Sequence, residues 1–289
     1  MMIDMKKRHR KRMGTILALV GVLLVGAVLF LGIPYSPTAA RFNGEVAKRV
    51  RAADTDPEMF TEEDLRDLPP PMQRYIRHCG YLGTPKMSSM RTALEGVDFR
   101  MSKDRTIPID YAQLNLADRP ERFALITSSL YGIPFEGLDS FTEGAGSMEG
   151  VLAKVIRLFN QRGEQMNRAG LVTWLAESPM VPSAMLQDFI TWEVLDDDHV
   201  RAMISYNGMS AEGVFTLEGD EIRSFRTGDR VATGMDGSEQ FVEWSALFEE
   251  YRAVDGILRP SVIRSVWHYP EGDSVYFNEN KRPVDIRFQ

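Results

Sequence analysis

Residues 242–269 read VEWSALFEEYRAVDGILRPSVIRSVWHY, and their pattern indicates the class of fold. Apolar residues occupy every second position from Val242 to Phe248, as in a strand with one buried face. Asp255-Gly256 then predicts a tight hairpin turn. The alternation resumes from Ile263 to Tyr269, so the stretch predicts two antiparallel strands joined by a short turn.

The period of two recurs through most of the chain after Gly80. Further strands are predicted around residues 97–101, 107–116, 123–125, 200–206 and 215–225. In the second of these, the apolar positions move from Ile109 and Tyr111 to Ala112 and Leu114, which predicts a β-bulge. Residues 131–163 are rich in glycine and ambiguous, with short strands expected on either side of Gly144-Ala145-Gly146.

Three helices are predicted outside these strands, at residues 41–53, 70–79 and 168–178. The second follows three prolines and shows the helical spacing of apolar residues at Met72, Tyr75, Ile76 and Cys79. The chain therefore predicts an α+β fold after an N-terminal transmembrane helix. Its largely antiparallel, curved sheet is expected to form an open half-barrel with one or two helices packed on it.

Residues 13–33 carry no charged side chain and directly follow six basic residues between Lys6 and Arg12. As a helix this stretch is about 30 Å long, the thickness of the hydrocarbon core of a bilayer. It is longer than the apolar core of a signal peptide. Thr38-Ala39-Ala40 resembles a weak cleavage site, so a cleaved signal peptide stays open as the alternative. We predict a single-pass anchor in a bacterial cytoplasmic (inner) membrane, with the N-terminus in the cytoplasm.

The chain is expected to divide into a basic cytoplasmic tail (1–12), a transmembrane helix (13–33), a linker with a helical neck (34–64) and a β-rich extracytoplasmic domain (65–289). The net charge is −7, and since residues 1–12 carry +5, the remainder carries −12. An acidic domain without a basic tract argues against nucleic acid as a partner. The single cysteine, Cys79, excludes a disulfide within the chain.

Common signatures of enzymes and metal sites do not occur in the sequence. The four histidines form no HExxH motif or other two-histidine spacing expected of zinc ligands. There is no GxSxG, no P-loop, and no GxGxxG after a predicted strand. Cys79 is adjacent to His78, but the two point to different faces of a helix, so a packed cysteine is the simpler interpretation. We predict no catalytic residue, no metal and no cofactor.

Glu177 and Glu193 lie near Trp174 and Trp192. A carboxyl group against aromatic rings has a raised pKa and can act as a general acid, and two such groups would suit a glycosidase. The alternative interpretation is that Glu177 lies at a helix end and Glu193 on the solvated face of a strand.

Several short motifs resemble a bacterial membrane-anchored family that is known only as a domain of unknown function. They are Leu68–Arg77 (LPPPMQRYIR), Gly163–Asn167 (GEQMN), Trp174–Leu186 (WLAESPMVPSAML), Thr191-Trp192-Glu193, and the C-terminal residues Trp244, Phe248, Tyr251-Arg252, Gly256, Arg259-Pro260 and Val266-Trp267. The resemblance covers about residues 65–289, with Met180 where the family often has an aromatic residue. It implies a layout similar to the open half-barrels of lipoprotein carriers, and it implies no activity.

All four tryptophans lie in the strand-rich part of the chain or in the helix expected to face it. A curved sheet that a helix does not fill leaves an apolar cavity, and the 16 methionines suit an adaptable apolar surface. Core packing explains the same pattern, so both interpretations stay open. The candidate ligand-binding residues are Trp174, Glu177, Trp192, Trp244, Tyr251, Arg252 and Trp267.

The first hypothesis for function is that the outer domain binds a lipid or another apolar molecule between a helix and the sheet. The second is a scaffold whose exposed sheet edge recruits an envelope protein. The third is a hydrolase that uses the paired carboxylates Glu177 and Glu193.

Overall fold

The computed structural model describes residues 2–50, 58–234 and 237–289. These ranges contain four α-helices and three short 3-10 helices. The α-helices are α1 (Met2–Gly32), α2 (Pro37–Val50), α3 (Pro70–His78) and α4 (Glu164–Glu177), and the 3-10 helices span Glu63–Leu65, Ser178–Met180 and Pro182–Leu186.

The same ranges contain sixteen strands. They are β1 (Ser89–Ser102), β2 (Arg105–Leu116), β3 (Arg122–Leu130), β4 (Ile133–Thr142), β5 (Ala145–Leu152), β6 (Ile156–Arg162), β7 (Ile190–Val194), β8 (His199–Tyr206), β9 (Met209–Glu218), β10 (Glu221–Thr227), β11 (Ala232–Thr233), β12 (Glu239–Gln240), β13 (Glu243–Val254), β14 (Ile257–Tyr269), β15 (Gly272–Phe277) and β16 (Asp285–Phe288).

The helices begin and end near the predicted residues. Proline at the start of α3 costs no helical hydrogen bond, because the first N–H groups of a helix have no partner within it. α4 begins at Glu164 rather than residue 168, since its first turn is polar and gives no apolar pattern. α2 begins at Pro37 rather than residue 41, and residues 51–53 of that prediction lie outside the described residues.

Helix α1 has the length and composition needed to cross a membrane, and it is the one such helix in the described part of the chain. Its apolar window has a mean hydropathy of 3.0, and none of that window is buried within the protein. Large apolar side chains from Met13 to Ile33 are accordingly exposed.

Fourteen strands form one sheet in the order β6-β5-β4-β3-β2-β1-β15-β14-β13-β10-β9-β8-β7, and β16 pairs with β1. The strand pairs are antiparallel. Because β6 and β7 are edge strands, the sheet of the described residues stays open. The fold is α+β, as predicted, and the ambiguous residues 131–163 form β4, β5 and β6.

The bulge predicted in β2 is wrong in its position. β2 pairs with β3 in continuous register from Asp110 to Asn115. The irregularity lies in the partner strand β1, between Leu94 and Val97. There Gly96 has a φ of +61° and donates its N–H to Asp110 Oδ1 at 2.9 Å.

Helix α2 explains why the apolar residues change faces along β2. Phe42 and Val46 of α2 pack on Leu114 and Phe123, on one face of the sheet, which we call the outer face. α4 lies on the opposite, inner face. Because α2 covers the end of β2, that part of the strand is buried on both faces, and its apolar residues move to the α2 side.

The main hydrophobic core lies between the inner face of β7–β10 and β13 and the helices α3 and α4. Its largest fully buried side chains include Tyr75, Trp174, Phe215 and Phe225. Trp174 also donates its Nε1–H to the carbonyl of Leu116 at 2.8 Å, which ties α4 to the end of β2.

Candidate functional site

A cavity of about 1000 Å³ lies on the inner face of the sheet, between β1–β5 and β13–β15. α4 borders it with Met166, Ala169, Thr173 and Glu177. These residues lie on one side of the helix because they are three or four positions apart. The cavity is thus the space that α4 leaves unfilled above the inner face of the sheet.

Apolar side chains from two groups of strands form the walls. The first group is Leu94, Ile107, Ile109, Ile126 and Phe135 of β1–β4, all of them buried. The second is Trp244, Phe248, Ile263, Trp267 and Tyr276 of β13–β15. Trp267 stacks on Tyr276 with ring centroids 5.7 Å apart, and Trp244 donates its N–H to the Tyr276 hydroxyl at 3.1 Å.

A buried arginine lies at the inner end of the cavity, where β2 and β3 meet the end of α4. Arg122 donates to Asp139 Oδ2 at 2.6 Å and to the Tyr111 hydroxyl at 3.0 Å, and its Nε lies 3.7 Å from Glu177 Oε2. Burial disfavours the charged guanidinium of Arg122 and by itself lowers the pKa. Asp139 and the other neighbours outweigh this effect and raise the pKa of Arg122 well above its usual value. One guanidinium therefore faces two carboxyl groups.

Glu177 joins this polar cluster from the last turn of α4. Its Oε2 accepts hydrogen bonds from Gln113 Nε2 and Asn115 Nδ2, each at 2.7 Å. Sequence reasoning identified Glu177 but missed its partners. The available signal was the run of polar residues at alternate positions of β2 (Tyr111, Gln113 and Asn115), which marks a face that is polar and yet buried.

Residues 230–234, which precede β13, lie against the inner face of the sheet. The guanidinium of Arg230 lies 4.4 Å from the ring centroid of Trp244 and 5.6 Å from that of Trp267. These distances are within the range of cation–π attraction. The carbonyl of Gly234 accepts a hydrogen bond from Gln161 Nε2 at 2.9 Å, which connects the segment to the edge strand β6.

The cavity reaches solvent beside two hairpin turns. Its exposed lining residues include Lys103, between β1 and β2, and Glu271 and Asp273, at the turn between β14 and β15. β2 runs from this mouth to the polar cluster, about 26 Å from Arg105 to Gln113 at the usual rise of a strand. The cavity is therefore elongated, with an exposed mouth, apolar walls and a polar inner end.

Three of the seven candidate residues, Glu177, Trp244 and Trp267, line this cavity. Trp174 instead fills the main core beneath α4. Trp192, on β7, packs against Phe215 with ring centroids 6.0 Å apart. Trp244 and Trp267 thus line the cavity while also belonging to the main core, whereas Trp174 and Trp192 do not line the cavity.

Tyr251 and Arg252 lie on the part of β13 that extends past the cavity. The Tyr251 hydroxyl donates to the carbonyl of Ile222 at 2.8 Å, and burial raises the pKa of Tyr251 well above its usual value. Arg252 is exposed and donates to Glu250 at 2.8 Å. Ligand binding by any of the seven residues stays a prediction.

Glu177 and Glu193 belong to separate ion pairs. Glu193 lies on β7, accepts a hydrogen bond from Arg201 at 2.5 Å and is 53% exposed. The Glu177 side chain is 17% exposed and is near Arg122. Only Glu177 of the two carboxylates lines the cavity.

The hydrogen bonds of Ser245, His268 and Asp273 have the connectivity of a Ser-His-Asp triad. Ser245 Oγ lies 2.8 Å from His268 Nε2, and His268 Nδ1 lies 2.7 Å from Asp273 Oδ1. Ser245 is 3% exposed, and because it alternates with the cavity-lining Trp244 it lies on the outer face. A substrate has no access to a hydroxyl buried in this way, so these bonds tie β13, β14 and β15 together.

Among the described residues, no group of three or more His, Cys, Asp and Glu side chains could hold a metal ion. The cavity itself provides apolar walls and a buried, hydrogen-bonding inner end.

Comparisons with known proteins bear on the family of the chain. No curated protein matches the sequence. A solved structure of a LolA superfamily protein from Nitrosomonas europaea is similar over 75% of this chain and 93% of its own, at 10% identity and a TM-score of 0.38. A likeness this distant supports no statement about function. Residues 58–279 match a family of unknown function, DUF6544, which confirms the expected membership of a family without an assigned activity, and the chain belongs to that family.

Proposed function

We propose that the outer domain binds a lipid or another largely apolar molecule in the cavity on the inner face of the sheet. The observation that carries the proposal is the cavity itself, with its volume of about 1000 Å³ and its apolar walls. Small-molecule sites have volumes of about 300–1000 Å³ and combine apolar walls with a few polar groups. Apolar surface left unpacked destabilises a fold, and an apolar ligand restores those contacts.

The polar cluster supports a ligand that also carries a polar group. Asp139 and Glu177 offer carboxyl oxygens against the single guanidinium of Arg122. A cluster with more acceptors than cations favours a ligand group that donates hydrogen bonds, such as a hydroxyl or an amine. Such a group at the inner end would fix the orientation of the apolar part along the elongated cavity.

Helix α1 supports a membrane location for this binding. Its apolar side chains are exposed over a length that matches the hydrocarbon core of a bilayer. The basic residues before it favour a cytoplasmic N-terminus, with the sheet on the outer side of the cytoplasmic membrane. On this proposal the domain takes its ligand from the bilayer in which the chain is anchored.

Native mass spectrometry of the full chain, extracted in a mild detergent, tests the proposal. We expect the protein to retain a bound lipid-sized molecule. Ser265→Trp adds an indole to the cavity wall, at a side chain that lines the cavity. We expect it to lower the bound fraction about tenfold, because the added ring occupies the space of the ligand.

Ser205→Trp is the matched control, because Ser205 is exposed on β8 and does not line the cavity. It should retain as much ligand as the unmodified protein. The proposal is contradicted if no apolar molecule co-purifies and none binds on addition, or if both tryptophan variants retain equal amounts.

A further inference from the structure

Three hairpin turns lie side by side at one end of β1–β6. Because these strands form an antiparallel meander, the turns β1–β2, β3–β4 and β5–β6 are at the same end. Two of the turns and the adjoining strand ends expose large apolar side chains. These residues, which we call the tip surface, are Tyr131 (87% exposed), Ile133 (37%), Val155 (65%), Ile156 (53%) and Leu158 (43%).

The tip surface adjoins the C-terminal end of α1. Lys154, in the β5–β6 turn, donates to the carbonyl of Phe30 at 3.4 Å and to that of Ile33. A cation is favourable there, because the last carbonyls of a helix have no partner within it and carry the negative end of its dipole. Since the apolar stretch ends at Ile33, Val155 lies near the level at which the helix would leave the hydrocarbon core.

Contacts after α1 hold the strands in one orientation relative to that helix. Ser36 Oγ donates to Glu136 Oε2 at 2.6 Å, and both residues are buried. Arg41 forms an ion pair with Glu149. α2 begins at Pro37, the residue after Ser36, and packs on the outer face of the sheet. The strands are therefore fixed to the end of α1 through both polar and apolar contacts.

The β5–β6 turn keeps an unfavourable backbone conformation at this point. Ala153 and Lys154 have φ values of +50° and +67°, in the left-handed region that favours glycine. Positive φ at both central residues is the geometry of a type I′ hairpin turn, which is built here without glycine. Here the conformation belongs to the turn that directs Lys154 to the carbonyls of α1.

The mouth of the cavity is at the same end as the tip surface. Arg105 lines the cavity, donates to the Tyr131 hydroxyl at 3.3 Å and lies 4.7 Å from the centre of that ring. Its neighbour Lys103 is an exposed residue of the mouth. Tyrosine rings and basic side chains are the groups that settle at the headgroup level of a membrane.

We propose that the tip surface lies in the headgroup layer of the membrane that anchors α1, so that the cavity mouth opens onto the bilayer. An apolar ligand then passes between bilayer and cavity without crossing water. The partner that contacts the tip surface is a lipid bilayer, since the tip surface is continuous with the end of the membrane helix. This inference rests on two parts of the proposed function, namely that α1 is a membrane anchor and that the ligand is apolar.

Depth measurements on the full chain in phosphatidylcholine nanodiscs test the position of the tip surface. Val155→Cys is labelled with a fluorophore and compared with Val194→Cys, an exposed valine on the other edge strand, β7. Cys79 is buried and stays unlabelled in the folded protein. With headgroup-proximal doxyl lipids we expect quenching at residue 155 to exceed that at residue 194 about threefold. Equal quenching at the two positions overturns the proposal.

A second measurement separates this inference from the proposed function. Ile156→Asp should slow the uptake of a fluorescent long-chain fatty alcohol from nanodiscs about tenfold, because a charge weakens contact with the bilayer. Uptake of the same probe from detergent solution should be unchanged, and Val194→Asp should behave as the unmodified protein. If Ile156→Asp and Val194→Asp take up the probe from nanodiscs at equal rates, the tip surface is not the entry point. If the unmodified protein takes up no probe from either source, the ligand proposal fails, while quenching at residue 155 still reports the membrane contact.

Discussion

The two halves of the sheet have similarly apolar inner faces but differ in what covers them. Over β7–β10 the inner face is filled by α3 and α4, with Trp174 and Phe215 in the main core. Over β1–β4 the inner face carries Ile107, Ile109 and other buried apolar residues, and it borders the cavity. An apolar face therefore shows that a side chain is withdrawn from water, and it does not show whether protein or a ligand packs against it.

Helix α2 accounts for much of this difference. It packs on the outer face of β2–β4, so this half has a hydrophobic layer of its own on that side. This layer adds apolar burial that does not come from the inner face. The β7–β10 half relies on α3 and α4 on its inner face for the same purpose.

The largest effect is expected from shortening a packed isoleucine. Ile204 and Ile109 are both buried strand residues, but Ile204 lies in the main core and Ile109 lines the cavity. Ile204→Ala should lower the free energy of unfolding by about 4 kcal/mol, because it creates a new cavity. Ile109→Ala should cost about 1–2 kcal/mol, because it only enlarges an existing one.

Chemical denaturation of the delipidated protein measures both values. Equal costs for the two variants would show that the β1–β4 half is packed as tightly as the other, which would remove the contrast between them. Adding a bound ligand should raise the cost of Ile109→Ala and leave that of Ile204→Ala unchanged.

A smaller effect is expected from neutralising Glu177 at the border between the halves. Glu177→Gln removes a negative charge beside buried Arg122 and one of the hydrogen bonds to Gln113 or Asn115. We expect a loss of about 1–3 kcal/mol in the free energy of unfolding. The matched change Glu193→Gln, in an exposed ion pair, should cost less than about 1 kcal/mol. Thermal unfolding of the two variants compares them, and equal shifts would show that the polar cluster is not a buried network.

The smallest effect concerns the thiol of Cys79 in the filled half. Burial raises its pKa to about 12 from the ordinary value of 9.0. The folded state thus holds the thiol protonated where the unfolded chain releases the proton, so this group lowers stability as the pH rises from 9 towards 12. At pH 8 a thiol reagent should label Cys79 only on unfolding, and the labelling rate then reports opening of this half. Rapid labelling of the native protein would mean that the filled half opens freely.

Much of the fold could be predicted from local patterns. The strands of residues 242–269, helix α3 and the apolar stretch of α1 have clear periods or lengths, and these depend only on neighbouring residues. The start of α4 and the bulge could not be predicted in the same way. Glu164 gives no apolar signal, and the change of face along β2 is caused by α2, which is distant in sequence.

The site was predicted in part. Trp244 and Trp267 line the cavity, whereas Trp192 does not, although all three lie on strands. Trp174, on α4, does not line it either. Arg122 and its partners were missed because its carboxyl neighbours come from another strand and from the end of α4. Contacts of this kind depend on strand order, which alternation does not encode.

By itself, the amino-acid sequence determined the apolar N-terminal helix, the antiparallel strands and the family, because each follows from residues that are close together in the chain. Only the tertiary structure decided which apolar face is filled and which encloses a cavity. That distinction depends on the volume left between α4 and the sheet, and this volume is set by elements that meet only after the chain has folded.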